Sequence, residues 1–98
     1  MFNILIAEDD KNIRKLMEIS LKDDKFNVIS ASNGEDALKK LYDNPIDLLV
    51  VDIMMPFMDG YELVKQARKS YPNIPAIFVT AKSSFEDISK GYNIGIDD

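Results

Sequence analysis

The sequence predicts an α/β fold, a parallel sheet with helices wound on both faces, and three observations carry that reading. Three short apolar runs each end in a polar residue: Ile4-Leu5-Ile6-Ala7 runs into Glu8-Asp9-Asp10, Leu48-Leu49-Val50-Val51 into Asp52, and Ala76-Ile77-Phe78-Val79 into Thr80. Strand-like runs alternate with stretches at helical spacing through four strand-helix units, which calls for right-handed crossovers and helices on both faces. The run over 46–52 is short, nearly continuous and β-branched, as expected for a central strand covered on both sides. In such a sheet the carboxyl ends of the strands lie side by side, so the polar residues converge on one spot.

Each element has its own signal. Asp10 can cap a helix through about residue 22, with Ile13, Leu16, Met17 and Leu21 on the inward face. Residues 26–31 read as a short, half-buried second strand. Ser32 and Glu35 fit a capping box, and Ala37, Leu38 and Leu41 form the core stripe of the second helix, which Asn44-Pro45 ends. Asp59 and Glu62 open a third helix packed through Leu63, Val64 and Ala67. Pro72 and Pro75 bracket the turn into a fourth strand over 76–80. Ser83 and Glu86 repeat the helix-start signature, with Ile88 facing inward and Gly91 at the end.

Composition narrows the chemistry. The 98 residues suit one small domain, without repeat, linker or low-complexity segment. There is no cysteine and no histidine, which excludes disulfides, thiolate metal sites, histidine-based triads and zinc hydrolase centres built on histidine. A net charge of −5 argues against direct contact with nucleic acid, which needs clustered Lys and Arg on phosphates. The absence of a signal peptide or long apolar stretch suits the cytoplasm and no membrane association.

The acidic cluster Glu8-Asp9-Asp10, Asp52 followed by Met55-Pro56 and Asp59-Gly60, and Thr80 together resemble the receiver domain of two-component response regulators, over residues 3–98. The resemblance implies a flavodoxin-like doubly wound parallel sheet of order 2-1-3-4-5. It also implies a phosphoacceptor function: Asp52 takes a phosphoryl group from a sensor histidine kinase with Mg²⁺, and a switch at Thr80 controls an output domain. A carboxylate at the end of a buried strand can act as such a nucleophile when nearby groups neutralise the donor's charge. By the same resemblance Asp9 and Asp52 coordinate Mg²⁺ directly, the Met54 backbone carbonyl supplies a third protein oxygen, and Glu8 acts through water. Crowded carboxylates suit a hard cation that takes oxygen ligands. Asp10 is left as a helix cap.

The hydroxyl of Thr80 is expected to donate to a phosphoryl oxygen, with Ala81 leaving room beside it. Met54 and Lys82 occupy positions that in receivers influence how fast water removes the phosphoryl group, and a Met54 side chain over the site would shield it. Met55 and Phe57 are expected simply to pack around the loop. The domain is expected to be a signalling acceptor and not an enzyme with turnover.

Two further expectations concern the C-terminal end. Receivers continue past Gly95-Ile96-Asp97-Asp98 into a fifth strand with a Lys-Pro pair and a fifth helix, so the reading over 1–98 is of a C-terminally incomplete receiver with slow phosphorylation. Strand 76–79 is then an exposed edge that favours self-association or segment exchange. The alternative function is accordingly an inactive receiver fragment serving as a folding or self-association module. The stretch 91–98 is close to the Gly-Ala-Asp-Asp pattern of the winged-helix transcription-factor branch, with Ile96 in place of the usual alanine. A flavin module is disfavoured because the first loop offers acids where a phosphate would need donors. A phosphatase of the haloacid dehalogenase type is disfavoured because Asp52-Ile53-Met54 lacks its second acid.

Overall fold

The computed structural model describes residues 1–79 and the backbone strand over 94–97. In chain order the elements are β1 (Phe2–Ala7), α1 (Lys11–Ser20), β2 (Phe26–Ala31), α2 (Gly34–Asp43), β3 (Leu48–Asp52), α3 (Gly60–Ser70), β4 (Ala76–Val79) and β5 (Ile94–Asp97). They form one sheet of order β2-β1-β3-β4-β5. The first four strands pair in parallel, with Ala7 beside Ala31, Ala7 beside Val51, and Asp52 beside Val79. This is the flavodoxin-like arrangement expected from the sequence.

The pleat divides the apolar residues between two layers. Leu5, Ala7, Leu49, Val51, Ala76 and Phe78 face α2 and α3, packing with Ala37, Leu41, Leu63, Val64 and Ala67. Ile4, Ile6, Val50 and Val79 join Met17 of α1 on the opposite face. Because both faces are covered, residues 4–7 are all buried, which accounts for a strand sequence without a polar alternate. Burying each such Leu or Ile contributes about 1.5–3 kcal/mol of hydrophobic stabilisation, and this layer anchors the strand ends that carry the acids.

Several local expectations are corrected. Leu16 is 48% exposed, so α1 meets the sheet through Met17 with Ile13 and Leu21 alongside. The cap of α2 is Asn33, one residue later than the Ser32 expected: its Oδ1 accepts from the Asp36 amide at 2.7 Å. Ser32-Glu35 and Asn33-Asp36 are overlapping boxes with the same chemistry, so composition alone does not separate them. The caps at Asp10 and Asp59 are as expected, each side chain accepting from amides in the first turn.

The largest correction concerns β4. Strand 76–79 is not an exposed edge, because β5 pairs with it antiparallel, Val79 beside Ile94 and Ala76 beside Asp97. An antiparallel strand on the border of a parallel sheet satisfies the hydrogen-bonding groups that a bare edge would offer another chain. The physical reason for self-association or segment exchange through β4 is thereby removed. Among the described residues, no helix is long and apolar enough to cross a membrane. The fourth helix expected from Ser83, Glu86 and Ile88 lies outside the described residues.

Candidate functional site

Sheet register brings the acids together. Ala7 is the register partner of Val51, so the next residues, Glu8 and Asp52, leave neighbouring strand ends side by side. Two hydrogen bonds extend the ladders just past the strands: the Glu8 amide donates to the Ala31 carbonyl and the Ile53 amide to the Val79 carbonyl, both at 3.1 Å. Glu8 and Asp52 are wholly buried and Asp9 is half-buried. One carboxylate oxygen from each of the three lies within 4.8 Å of the others.

The loop after β1 fixes Glu8 at several points. Glu8 Oε2 accepts from the Asp10 amide at 3.0 Å, and the Glu8 carbonyl accepts from Arg14 Nη1 at 2.9 Å. Asp10 itself turns away as the α1 cap, its Oδ1 accepting from the amides of Asn12 at 2.9 Å and Ile13 at 3.0 Å. Glu8 and Asp9 thus stand together with Asp52, while Asp10, expected as a helix cap, caps α1.

The loop after β3 completes the surroundings. Asp52 Oδ1 accepts from the Met54 amide at 3.2 Å, so the Met54 backbone is beside the carboxyl group while its side chain is largely exposed. Gly60 begins α3 against the end of β3; a Cβ there would stand 2.5 Å from the Asp52 carbonyl oxygen and 2.9 Å from Ile53 Cα. Only glycine permits that approach, a role not visible in the Asp59-Gly60 pair as sequence. Met55 is buried as expected. Phe57 is not packed: it is fully exposed at the centre of a γ-turn with φ 71°, closed by the Met58 amide on the Pro56 carbonyl at 2.8 Å.

The electrostatics follow from this crowding. Asp52 is pushed up from 3.8 to about 7, first because burial penalises its charged form and next because the Glu8 carboxylate is so close. A hydrogen bond with the Glu8 side chain acts in the same direction, and the Met54 amide partly opposes it. Among the described residues the pocket gathers three carboxyl groups, the chemistry of a site for a hard divalent cation. Thr80, Ala81 and Lys82 lie outside the described residues; Thr80 follows Val79, the register partner of Asp52. Sequence reasoning missed Arg14, whose position on an amphipathic helix carries no signal of its contact with the Glu8 carbonyl.

Known proteins share this fold. The family model for the response regulator receiver domain matches residues 4–98. The chain is 37% identical over 95 residues to Response regulator GtcR of Aneurinibacillus migulanus, covering 97% of this chain and 39% of that protein. It is 39% identical over 95 residues to the alkaline phosphatase synthesis transcriptional regulatory protein PhoP of Bacillus subtilis, covering 97% and 40%. The chain thus spans about two-fifths of the length of these curated relatives. Among solved structures, the Vibrio cholerae chemotaxis protein CheY4 superposes with a TM-score of 0.78 at 31% identity, over 93% of this chain and 78% of that one. A chain from the crystal structure of histidine kinase ThkA in complex with response regulator protein TrrA gives 0.76 at 36% identity, over 87% and 73%. With its sheet order, its buried strand-end acids and a family match over nearly its whole length, the chain belongs to the response regulator receiver domains, the signalling domains of two-component systems.

Proposed function

We propose that residues 1–98 act as a phosphoacceptor unit in which Asp52 takes a phosphoryl group from the phosphohistidine of a sensor kinase. In that transfer a bond forms from an Asp52 carboxylate oxygen to phosphorus while the phosphorus–nitrogen bond breaks, and its electron pair stays on the imidazole nitrogen. The observation that supports this best is the burial of Asp52 at the end of β3, against Glu8 and Asp9. Membership of the receiver family and the kinase complex of TrrA support the choice of donor.

Glu8, Asp9, Asp52 and the Met54 backbone carbonyl are the residues proposed to hold Mg²⁺, Glu8 through water. All offer hard oxygen donors, and a cation that takes a few carboxylates and keeps several waters suits them. When bound, Mg²⁺ supplies positive charge that offsets the oxygens of the phosphoryl group. The rest falls to this chain. Asp52 is held by the Met54 amide with one oxygen fixed. The hydroxyl of Thr80, one residue beyond Val79, would donate to a phosphoryl oxygen and couple its arrival to the loop that follows.

The wider role follows from the relatives. Several are transcriptional regulators more than twice this chain's length, so the proposed output of the whole protein is control of transcription by a domain other than this one. Direct contact with nucleic acid by this acidic segment is not part of the proposal, and the setting proposed is cytoplasmic. The domain is proposed to accept one phosphoryl group and pass on a conformational signal, not to turn over a substrate.

The test is intact-mass measurement after incubation with Mg²⁺ and excess acetyl phosphate, in wild type and Asp52→Asn. One added phosphoryl group in wild type and none in the variant is expected. Equal modification of both would contradict the assignment.

A further inference from the structure

We propose that Arg14 is a specificity-determining residue of the acidic pocket: by fixing the Glu8 carbonyl it holds the pocket rigid enough to select Mg²⁺ over Ca²⁺. This rests on the reading that the pocket holds a divalent cation.

Glu8 is restrained through all three of its polar groups. Its amide donates to the Ala31 carbonyl at 3.1 Å, which ties it to β2. Its Oε2 accepts from the Asp10 amide at 3.0 Å, which ties it to the loop. Its carbonyl accepts from Arg14 Nη1 at 2.9 Å, which ties it to α1. Arg14 is bound back in turn, its amide donating to the Asp10 carbonyl at 2.8 Å. The contacts close a ring from Glu8 to Asp10 to Arg14 and back to Glu8, with Asp9 between Glu8 and Asp10 in the chain.

The chemistry of the Arg14 contact is informative. Its half-buried guanidinium bonds a main-chain carbonyl, a neutral acceptor, so the contact fixes geometry without neutralising a pocket carboxylate. Removing the side chain would take away one of these ties and let the backbone carrying Glu8 and Asp9 shift. Mg²⁺ demands near-ideal octahedral geometry at short distances, whereas Ca²⁺ accepts longer and variable coordination. Loosening the acids therefore penalises Mg²⁺ and leaves Ca²⁺ almost untouched. Groups that only orient metal ligands typically change affinity by about 10–100-fold when removed.

Calorimetric titration of the full chain with Mg²⁺ and separately with Ca²⁺, for wild type, Arg14→Met and Arg14→Lys, tests this. Wild type is expected to prefer Mg²⁺. Arg14→Met should weaken Mg²⁺ by about tenfold and Ca²⁺ by no more than about twofold, so that the preference collapses. Arg14→Lys keeps a donor at the site and should fall between the two, which carries the test if the methionine variant fails to fold. An equal loss for both ions would assign Arg14 to general stability and overturn the proposal. An equal gain for both would assign it to through-space charge and overturn it as well. Wild type that binds neither ion would overturn the metal reading itself, whereas wild-type preference retained in both variants would overturn only the role of Arg14.

Discussion

The carboxyl groups of Glu8 and Asp52 stand at neighbouring parallel strand ends, with one oxygen of each within 4.8 Å of the other and both residues shut off from solvent. Two acids in that position are costly to ionise together, and the fold tolerates them because the strands beneath are covered on both faces.

The first consequence is a stability that depends on pH in an unusual direction. Asp52 titrates near 3.8 when unfolded and at about 7 when folded, so between those values the folded chain binds more protons. Its contribution therefore falls as pH rises from about 4 to about 7, by on the order of 3–4 kcal/mol at the upper end. Asp52→Asn should lack this loss. Urea unfolding with a chelator present should show the variant more stable than wild type at pH 8 and the two closer at pH 5. A parallel pH dependence would contradict the coupling. Added Mg²⁺ should stabilise wild type more at pH 8 than at pH 5, since ionised Asp52 is the form that binds it.

The neighbouring acids should separate by role. Glu8→Gln and Asp9→Asn should each weaken Mg²⁺ binding by about tenfold or more, since each removes a carboxylate from the pocket. Asp10→Ala should instead cost about 1 kcal/mol of stability through loss of the α1 cap and change Mg²⁺ affinity only slightly. Equal effects of all three on Mg²⁺ would show that Asp10 is also a metal group.

Gly60→Ala tests the packing that seats the site. A Cβ at 2.5 Å from the Asp52 carbonyl meets backbone that cannot rotate aside, so a cost of about 1–3 kcal/mol and weaker Mg²⁺ binding are expected. Gly34→Ala is the control. Its Cβ would meet Met58, Sδ at 2.7 Å and Cβ at 2.9 Å, away from the acids, so stability should fall while Mg²⁺ affinity stays unchanged. Thermal melts and the same titrations would distinguish them.

Phe57→Gly should not destabilise the domain. The side chain is fully exposed and its φ of 71° is unfavourable for any residue with a Cβ. Glycine should raise stability by about 1 kcal/mol, set against its greater freedom in the unfolded chain. A loss larger than about 1 kcal/mol would show that the ring makes a contact that stabilises the loop.

Much of this site was legible in the sequence because its determinants are local. Apolar runs that stop at an acid mark strand ends, and a parallel sheet then aligns those ends. Asp10 and Asp59 announce helix starts by the chemistry of a short side chain next to free amides. What could not be read depends on distant approach. The buried seat of Gly60 against Asp52, the choice of Asn33 over Ser32, and the reach of Arg14 back to Glu8 all arise from how elements pack. The antiparallel β5 was missed for a different reason: residues 91–98 were matched to the Gly-Ala-Asp-Asp pattern, and the family resemblance put the fifth strand after Asp98.

The most direct test is to locate the phosphoryl group itself. Wild-type chain treated for hours with Mg²⁺ and excess acetyl phosphate, then with borohydride to reduce any acyl phosphate to its alcohol, can be digested and sequenced by mass spectrometry. Conversion of Asp52 alone to homoserine is predicted. Conversion at Glu8 or Asp9, or no conversion at any residue, would contradict the account.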